Sequence, residues 1–390
     1  MTDTPTMHVS PGWEAVADRA ASVLPRAGGG GLCVYHHGVP VLDVWAGVSD
    51  PATGRPWTAE TMAMSFSTTK GIASACVHML SERGLIDLDA RVGEYWPEFA
   101  VNGKEATTVR HILAMEAGLY DIRHLIDNPW LMLDHDEMAR RLAAAAPAHP
   151  PGTANGYHAL TYGWLVGELV RRRAGVTLGR FVRTEIAEPL GLDGCYIGTP
   201  DDELSRVAAL PEQRPERSSV RRLARWVNPV TSRLGFSPER MAAAFFAHDG
   251  DQVIGSRAFL RPEIPAANGV FTARSLARIY AALGSHDGVD GVRLWSATTR
   301  DAARAAQNSR RDLVLPATVG WRSGFHRPLP FRRRPTAAFG FFGAFGSGAF
   351  ADPERSLAVG LVCQAATGRP MVPLIALRSR IDAAVRASGS

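Results

Sequence analysis

Met64-Ser65-Phe66-Ser67-Thr68-Thr69-Lys70-Gly71-Ile72-Ala73 sets a serine three residues ahead of a lysine, at the head of a run of small and apolar residues suited to a buried helix. Residues at i and i+3 share a helix face, with Cβ atoms about 5–6 Å apart. A serine hydroxyl is a weak nucleophile until a base takes its proton, and lysine is such a base only where burial or nearby positive charge keeps it neutral. The small apolar neighbours favour that burial. At a helix start Ser67 also offers its backbone N–H and the positive end of the helix dipole to a developing oxyanion. Serine three before lysine is a common coincidence, so the rest of the chain has to decide.

A second element is Pro151-Gly152-Thr153-Ala154-Asn155-Gly156-Tyr157-His158-Ala159-Leu160-Thr161-Tyr162-Gly163-Trp164, a turn-rich loop running into a helix. It exposes Tyr157 at the helix start. A phenol held near a lysine ammonium has its anionic form favoured and acts as a general base, returning the proton to a leaving alcohol. Without Ser67 and Lys70 the same tyrosine reads as a core residue capping a loop.

The scaffold follows from where strand-like runs fall. Leu32 to His36 and Val39 to Ala46 form a hairpin across His37-Gly38, after an amphipathic helix from Trp13 to Leu24 that the glycines from Gly28 to Gly31 end. Thr318 to Phe325, Ala338 to Phe342 and Leu357 to Gln364 are strand-like at the other end, before a helix from Met371 to Ala387. Between them apolar residues recur at helical spacing over Thr108 to Met115, Asp136 to Ala146, Leu160 to Ala174, Leu178 to Ile186 and Ala273 to Leu283. Terminal strands need hydrogen-bond partners. The pattern therefore predicts an α+β fold: one antiparallel sheet from both chain ends with flanking helices (11–95 and 285–390), and an inserted, mainly helical domain (96–284). Its active site lies at the interface. The Pro- and Arg-dense stretch Ala209 to Ser256 reads as a long loop with one helix near Pro238 to Phe246.

At 390 residues, 46% hydrophobic and 21% charged, the chain suits an enzyme-sized globular fold without a transmembrane segment. Met1 to Ser10 is short and polar, with no signal-peptide pattern, so a cytoplasmic location is expected. Cys33, Cys76, Cys195 and Cys363 are isolated, without metal-ligand or disulfide spacing, and read as core residues; no metal and no organic cofactor is implied. The net charge of +5 is almost all arginine, Lys70 and Lys104 being the only lysines. The clusters Arg221, Arg222, Arg225 and Arg332, Arg333, Arg334 lack the interleaved aromatics of a single-strand binder and read as solvated loops, which argues against nucleic acid as a partner.

Taken together, the serine-x-x-lysine helix, the PGT…GY-x-A loop running into TYGWLVGEL, Pro189-Leu190-Gly191-Leu192…Tyr196-Ile197-Gly198-Thr199-Pro200, and the helices opened by Thr108-Val109-Arg110-His111-Ile112-Leu113 and Thr272-Ala273-Arg274-Ser275-Leu276 resemble the serine β-lactamase and penicillin-binding-protein superfamily. Within it the chain looks most like the class C-like family VIII carboxylesterases, from about Pro11 to the C-terminus. Carried over, the resemblance makes Ser67 the acylated nucleophile, Lys70 its lysine partner and Tyr157 the tyrosine of the second motif.

Two departures bear on substrate. Ala159 stands where the lactamases carry an asparagine that hydrogen-bonds the lactam amide. In the third motif, Lys-Thr-Gly in lactamases and His-x-Gly or Trp-Gly-Gly among esterases, this chain has Phe341-Phe342-Gly343-Ala344 and so lacks a cation for a substrate carboxylate. Gly343 keeps the close approach that lets the Ala344 N–H join that of Ser67 in an oxyanion hole. Phe341 and Phe342 point to opposite faces of the strand, and one of them lines the substrate pocket. The expected activity is hydrolysis of a small carboxylic ester through a Ser67 acyl-enzyme. Transfer of the same acyl group to a bulky alcohol or amine, as by the statin side-chain acyltransferases of the superfamily, is the alternative. β-Lactamase or D-alanyl peptidase action is disfavoured by both departures, and a retired binding protein by the retention of serine, lysine and tyrosine together.

Overall fold

The computed structural model describes residues 7–210, 237–328, 337–364 and 372–388; both arginine clusters lie outside them. The described residues form a seven-stranded antiparallel sheet in the order β1-β3-β2-β10-β9-β8, with β4 paired to β3. Its strands are β1 (His8–Val9), β2 (Gly29–His36), β3 (Val39–Asp50), β4 (Arg55–Pro56), β8 (Phe339–Phe342), β9 (Gly348–Asp352) and β10 (Leu357–Cys363). The two chain ends meet where β10 pairs with β2, Val359 opposite Val34 and Leu361 opposite Leu32. A smaller sheet joins β5 (Ala63–Met64), β7 (Val270–Phe271) and β6 (Cys195–Tyr196), with β7 in the middle.

Strand alternation sorts the side chains into two cores. Leu32, Val34, Leu42, Val44, Val359 and Leu361 pack with Trp13, Val16 and Ala20 of the helix Glu14–Val23 and with Leu374, Leu377 and Ile381 of the helix Val372–Ser388. Cys33, Tyr35, Phe339, Phe341 and Ala351 face the other way, toward Leu276, Ile279 and Tyr280 of the helix Ala273–Gly284. That helix lies on β10 so closely that a Cβ at Gly360 would sit 2.4 Å from the Ala277 nitrogen. The sheet layer thus takes in a helix that precedes residue 285.

Most helices fall where periodicity puts them: Val109–Leu113, His135–Ala144, Thr161–Ala174 and, in the Pro-rich stretch, Pro238–Phe245. Leu178–Val182 is α-helical and continues as a π turn over Arg183–Ala187. All four cysteines are buried and free. Thr318 to Phe325 is not a strand. Gly320 and Gly324 both take positive φ, and what remains is a turn with isolated bridges from Trp321 to His326 and from His326 to Gly340. β9 escaped the sequence reading because Gly348 to Asp352 carries no polar alternation, both of its faces being covered.

Candidate active site

The helix Thr68–Glu82 runs through the interior, buried on every side from Thr68 to Leu80. Its small and apolar residues suit that burial, and the polar Lys70, Ser74 and His78 among them are each hydrogen-bonded. Its entry is a tight turn off β5. Ser65 donates its N–H to the Gly269 carbonyl (2.8 Å) and its hydroxyl to Ala63 (3.0 Å), Phe66 takes a left-handed φ of 45°, and the Thr69 hydroxyl donates to the Phe66 carbonyl (2.6 Å). Ser67, directly before the first helical residue, is thereby turned out of the core.

Lys70 is wholly buried. Its Nζ lies 3.1 Å from Ser67 Oγ and donates to the carbonyls of Ala159 (2.6 Å) and Ala266 (2.8 Å). Burial pushes the amine well below the ordinary lysine value. A neutral amine has two N–H groups, which the two carbonyls take; its lone pair then faces Ser67 Oγ. Ala159 thus serves the site through its backbone.

Tyr157 donates its hydroxyl to Ser67 Oγ at 2.6 Å. Three expectations are corrected. The tyrosine is buried rather than exposed, and it lies in the loop before the helix Thr161–Ala174 rather than at its start. Nor is the phenolate favoured: burial pushes the phenol up, the Ser67 hydrogen bond only partly opposing it, and Asp312 adds negative charge. Tyr157 is a neutral donor. Its ring stacks on Trp321 (centroids 5.5 Å, 11° between planes) and touches those of Phe245 (5.6 Å) and Phe341 (6.4 Å).

The third motif closes the site from β8. A Cβ at Gly343 would sit 2.2 Å from the Ser65 carbonyl oxygen, so only glycine lets the strand end rest on the serine turn. Ala344 next to it is exposed and opens a 3₁₀ turn, so its N–H has no partner within the turn. Among the described residues no hydrogen bond uses the N–H of Ser67 or of Ala344. Both are left for an incoming oxygen.

Phe341 faces Lys70 (Nζ 5.8 Å from the ring centroid), but at 2% exposure it is packing beneath Lys70 and Tyr157 rather than an open pocket wall. Phe342 does not reach the site. Alternation puts it on the opposite face of the sheet, beside Phe350 (6.5 Å).

Four participants went unread in the sequence. Phe345, with φ of 61°, meets Phe66 at 4.9 Å beside the two free N–H groups. Asp312 and Trp321 hold the Tyr157 loop, the carboxylate by accepting the Tyr157 N–H and the indole by stacking on the phenol. His326 packs edge-on against Phe341 at 4.7 Å; its Nδ1–H goes to the Arg327 carbonyl and its Nε2 accepts the Phe342 N–H (3.2 Å), with burial lowering its pKa to about 4. It brings no cation in place of Phe341. Only the glycines around Trp321 and the Phe-rich run at 341–345 hinted at these contacts, and neither pattern names its partner.

Comparison with known proteins bears on family and fold. The beta-lactamase family profile matches residues 17–381. The esterase/beta-lactamase LipL of Mycobacterium tuberculosis is 38% identical over 365 residues, 90% of this chain and 81% of that protein. Among solved structures, a novel penicillin-binding protein homolog from Caulobacter crescentus (34% identity, TM-score 0.83, 99% of this chain and 100% of that one) and a family VIII carboxylesterase (32%, 0.84, 97% and 98%) superimpose along nearly the whole length.

Proposed function

Because this chain belongs to the beta-lactamase family of serine hydrolases, we propose that it is an esterase acting on small, uncharged carboxylic esters through an acyl-enzyme on Ser67. The observation that carries this reading is the sharing of Ser67 Oγ between the buried amine of Lys70 at 3.1 Å and the neutral phenol of Tyr157 at 2.6 Å.

In this reading the ester carbonyl oxygen sits between the N–H groups of Ser67 and Ala344, each such donor being worth about 2.7–4 kcal/mol in the transition state. Neutral Lys70 takes the Ser67 proton as Oγ bonds to the carbonyl carbon, and the resulting ammonium is held by the Ala159 and Ala266 carbonyls. The departing alkoxide takes the Tyr157 proton, and Lys70 returns one to the phenol. A water then removes the acyl group by the same steps in reverse. The preference for uncharged esters rests on the third motif, where Phe341 and the neutral His326 stand in place of a cation. The esterase relative supports the ester as substrate class.

The test is intact mass spectrometry after exposure to a fluorophosphonate, with the adduct mapped by peptide, alongside turnover of p-nitrophenyl butyrate. A single adduct on the Ser67 peptide and no turnover by Ser67→Ala are expected; an adduct elsewhere, or turnover retained without the hydroxyl, overturns the reading.

A further inference from the structure

Asp312 lies in an irregular stretch far from Tyr157 in sequence, and it is fully buried. Its carboxylate accepts five N–H groups. Oδ1 takes the backbone N–H of Tyr157 (3.1 Å), Val314 (2.8 Å) and Leu315 (2.9 Å), and Oδ2 takes the Asn155 side-chain amide (3.1 Å) and the Trp321 indole (2.9 Å). The Leu313 N–H adds a further tie, to the Asn155 carbonyl at 2.9 Å. One carboxylate therefore grips Tyr157 twice: by its own backbone, and through Trp321, whose ring lies flat on the phenol at 5.5 Å.

We propose that Asp312 is the positioning residue of the site, fixing the Tyr157 hydroxyl on Ser67 Oγ by locking the tyrosine backbone and the indole that stacks on its ring. The proposal rests on the esterase reading only for the consequence in rate. Such buried multi-acceptor hubs rigidify what they hold, and catalysis is sensitive to the placement they set. The negative charge of Asp312 also adds to burial in keeping the phenol protonated, as a proton donor requires.

The geometry dictates which variant is informative. In Asp312→Asn the side-chain oxygen keeps the three backbone donors and the new amide takes the place of Oδ2. Asn155 can turn its amide over, because its Oδ1 has no hydrogen-bond partner. The Trp321 indole cannot, and its N–H is left facing another donor. Trp321→Phe in the same chain removes that stranded donor and keeps a stacking ring.

The experiment compares wild type, Asp312→Asn, Trp321→Phe and the double variant by fluorophosphonate labelling rate at Ser67, by kcat and KM on p-nitrophenyl butyrate, by Tm, and by crystal structures of wild type and Asp312→Asn. Expected are a loss of about 10- to 100-fold in kcat for Asp312→Asn with KM little changed, recovery of most of it in the double variant, and movement of the Tyr157 hydroxyl out of hydrogen-bond reach of Ser67. A wild-type rate per labelled site in Asp312→Asn, or a loss that Trp321→Phe does not relieve, overturns the proposal. Should the wild type prove inactive toward both reagents, the esterase reading falls and the crystal structures decide: a displaced Tyr157 sustains the positioning role, an undisplaced one ends it.

Discussion

The rings of Phe66 and Phe345 meet with centroids 4.9 Å apart, and both residues occupy the left-handed region of backbone space, at φ of 45° and 61°. Each is adjacent in sequence to one of the two free N–H groups, those of Ser67 and Ala344. A left-handed backbone costs an L-residue about 1–2 kcal/mol, and such strain collects at functional sites. Here the aromatic contact and the turn geometry that aims the two N–H groups come from the same pair of residues.

That arrangement inverts the usual order of substitution at 345. Phe345→Ala and Phe345→Gly lose the same ring, but only glycine accepts the backbone without strain. Glycine should be the more stable by about 1 kcal/mol once its larger unfolded-state entropy is subtracted. Urea denaturation of the two variants measures it, and an alanine variant at least as stable as the glycine one refutes the strain.

Lys70 makes stability depend on pH in a definite direction. Its folded-state pKa is depressed below the ordinary value of 10.5 by burial. Between the depressed value and 10.5 the unfolded chain binds one more proton than the folded one, so the wild type gains stability as pH rises through that window. Lys70→Met removes the group. It should be inactive, and its stability relative to wild type, already reduced by the Ala159 and Ala266 carbonyls it leaves without a donor, should fall steadily as pH rises toward 10. Unfolding free energies of both proteins at several pH values check this; a relative stability that rises with pH contradicts a neutral, buried amine.

Lys70→Ala and Tyr157→Phe should each lower acylation by orders of magnitude, and the double variant should be little worse than either alone, because the two groups handle protons for one oxygen. Single-turnover labelling of Ser67 in the four proteins gives the cycle. Losses that multiply would mean the two side chains act independently.

The third motif predicts charge selectivity. Exchanging a charge-assisted hydrogen bond, worth about 1.5–3 kcal/mol, for a phenyl ring should leave an ester bearing a carboxylate about 10- to 100-fold poorer in kcat/KM than its neutral counterpart. Phe341→His should leave that ratio little changed, because the ring it replaces is enclosed and burial keeps a histidine there as neutral as its neighbour His326. Phe341→Lys should instead cost stability, because the ring it replaces is enclosed beside Lys70. Steady-state kinetics on the matched pair test this, and a wild type that prefers the carboxylate shows that the anion is held from elsewhere.

Local physics made part of this protein readable from its residues alone. The i, i+3 spacing of Ser67 and Lys70 is a property of one helix, and the hairpin, the long helices and the pairing of the two chain ends follow from periodicity and from the need to satisfy strand edges. Tyr157 stands out in its turn-rich loop and takes its role from the resemblance, which also locates the third motif and its Gly343. Tertiary structure alone decided the rest. Which face of β8 meets Lys70 depends on register, so Phe341 came to lie under the site and Phe342 in the opposite core. The protonation states depend on burial, which folding sets: a phenol expected to ionise beside an ammonium instead stays neutral, because both groups are removed from water together. And the carboxylate of Asp312 reaches a tyrosine 155 positions away, a contact invisible to any local pattern because it exists only where packing brings two irregular segments to one buried point.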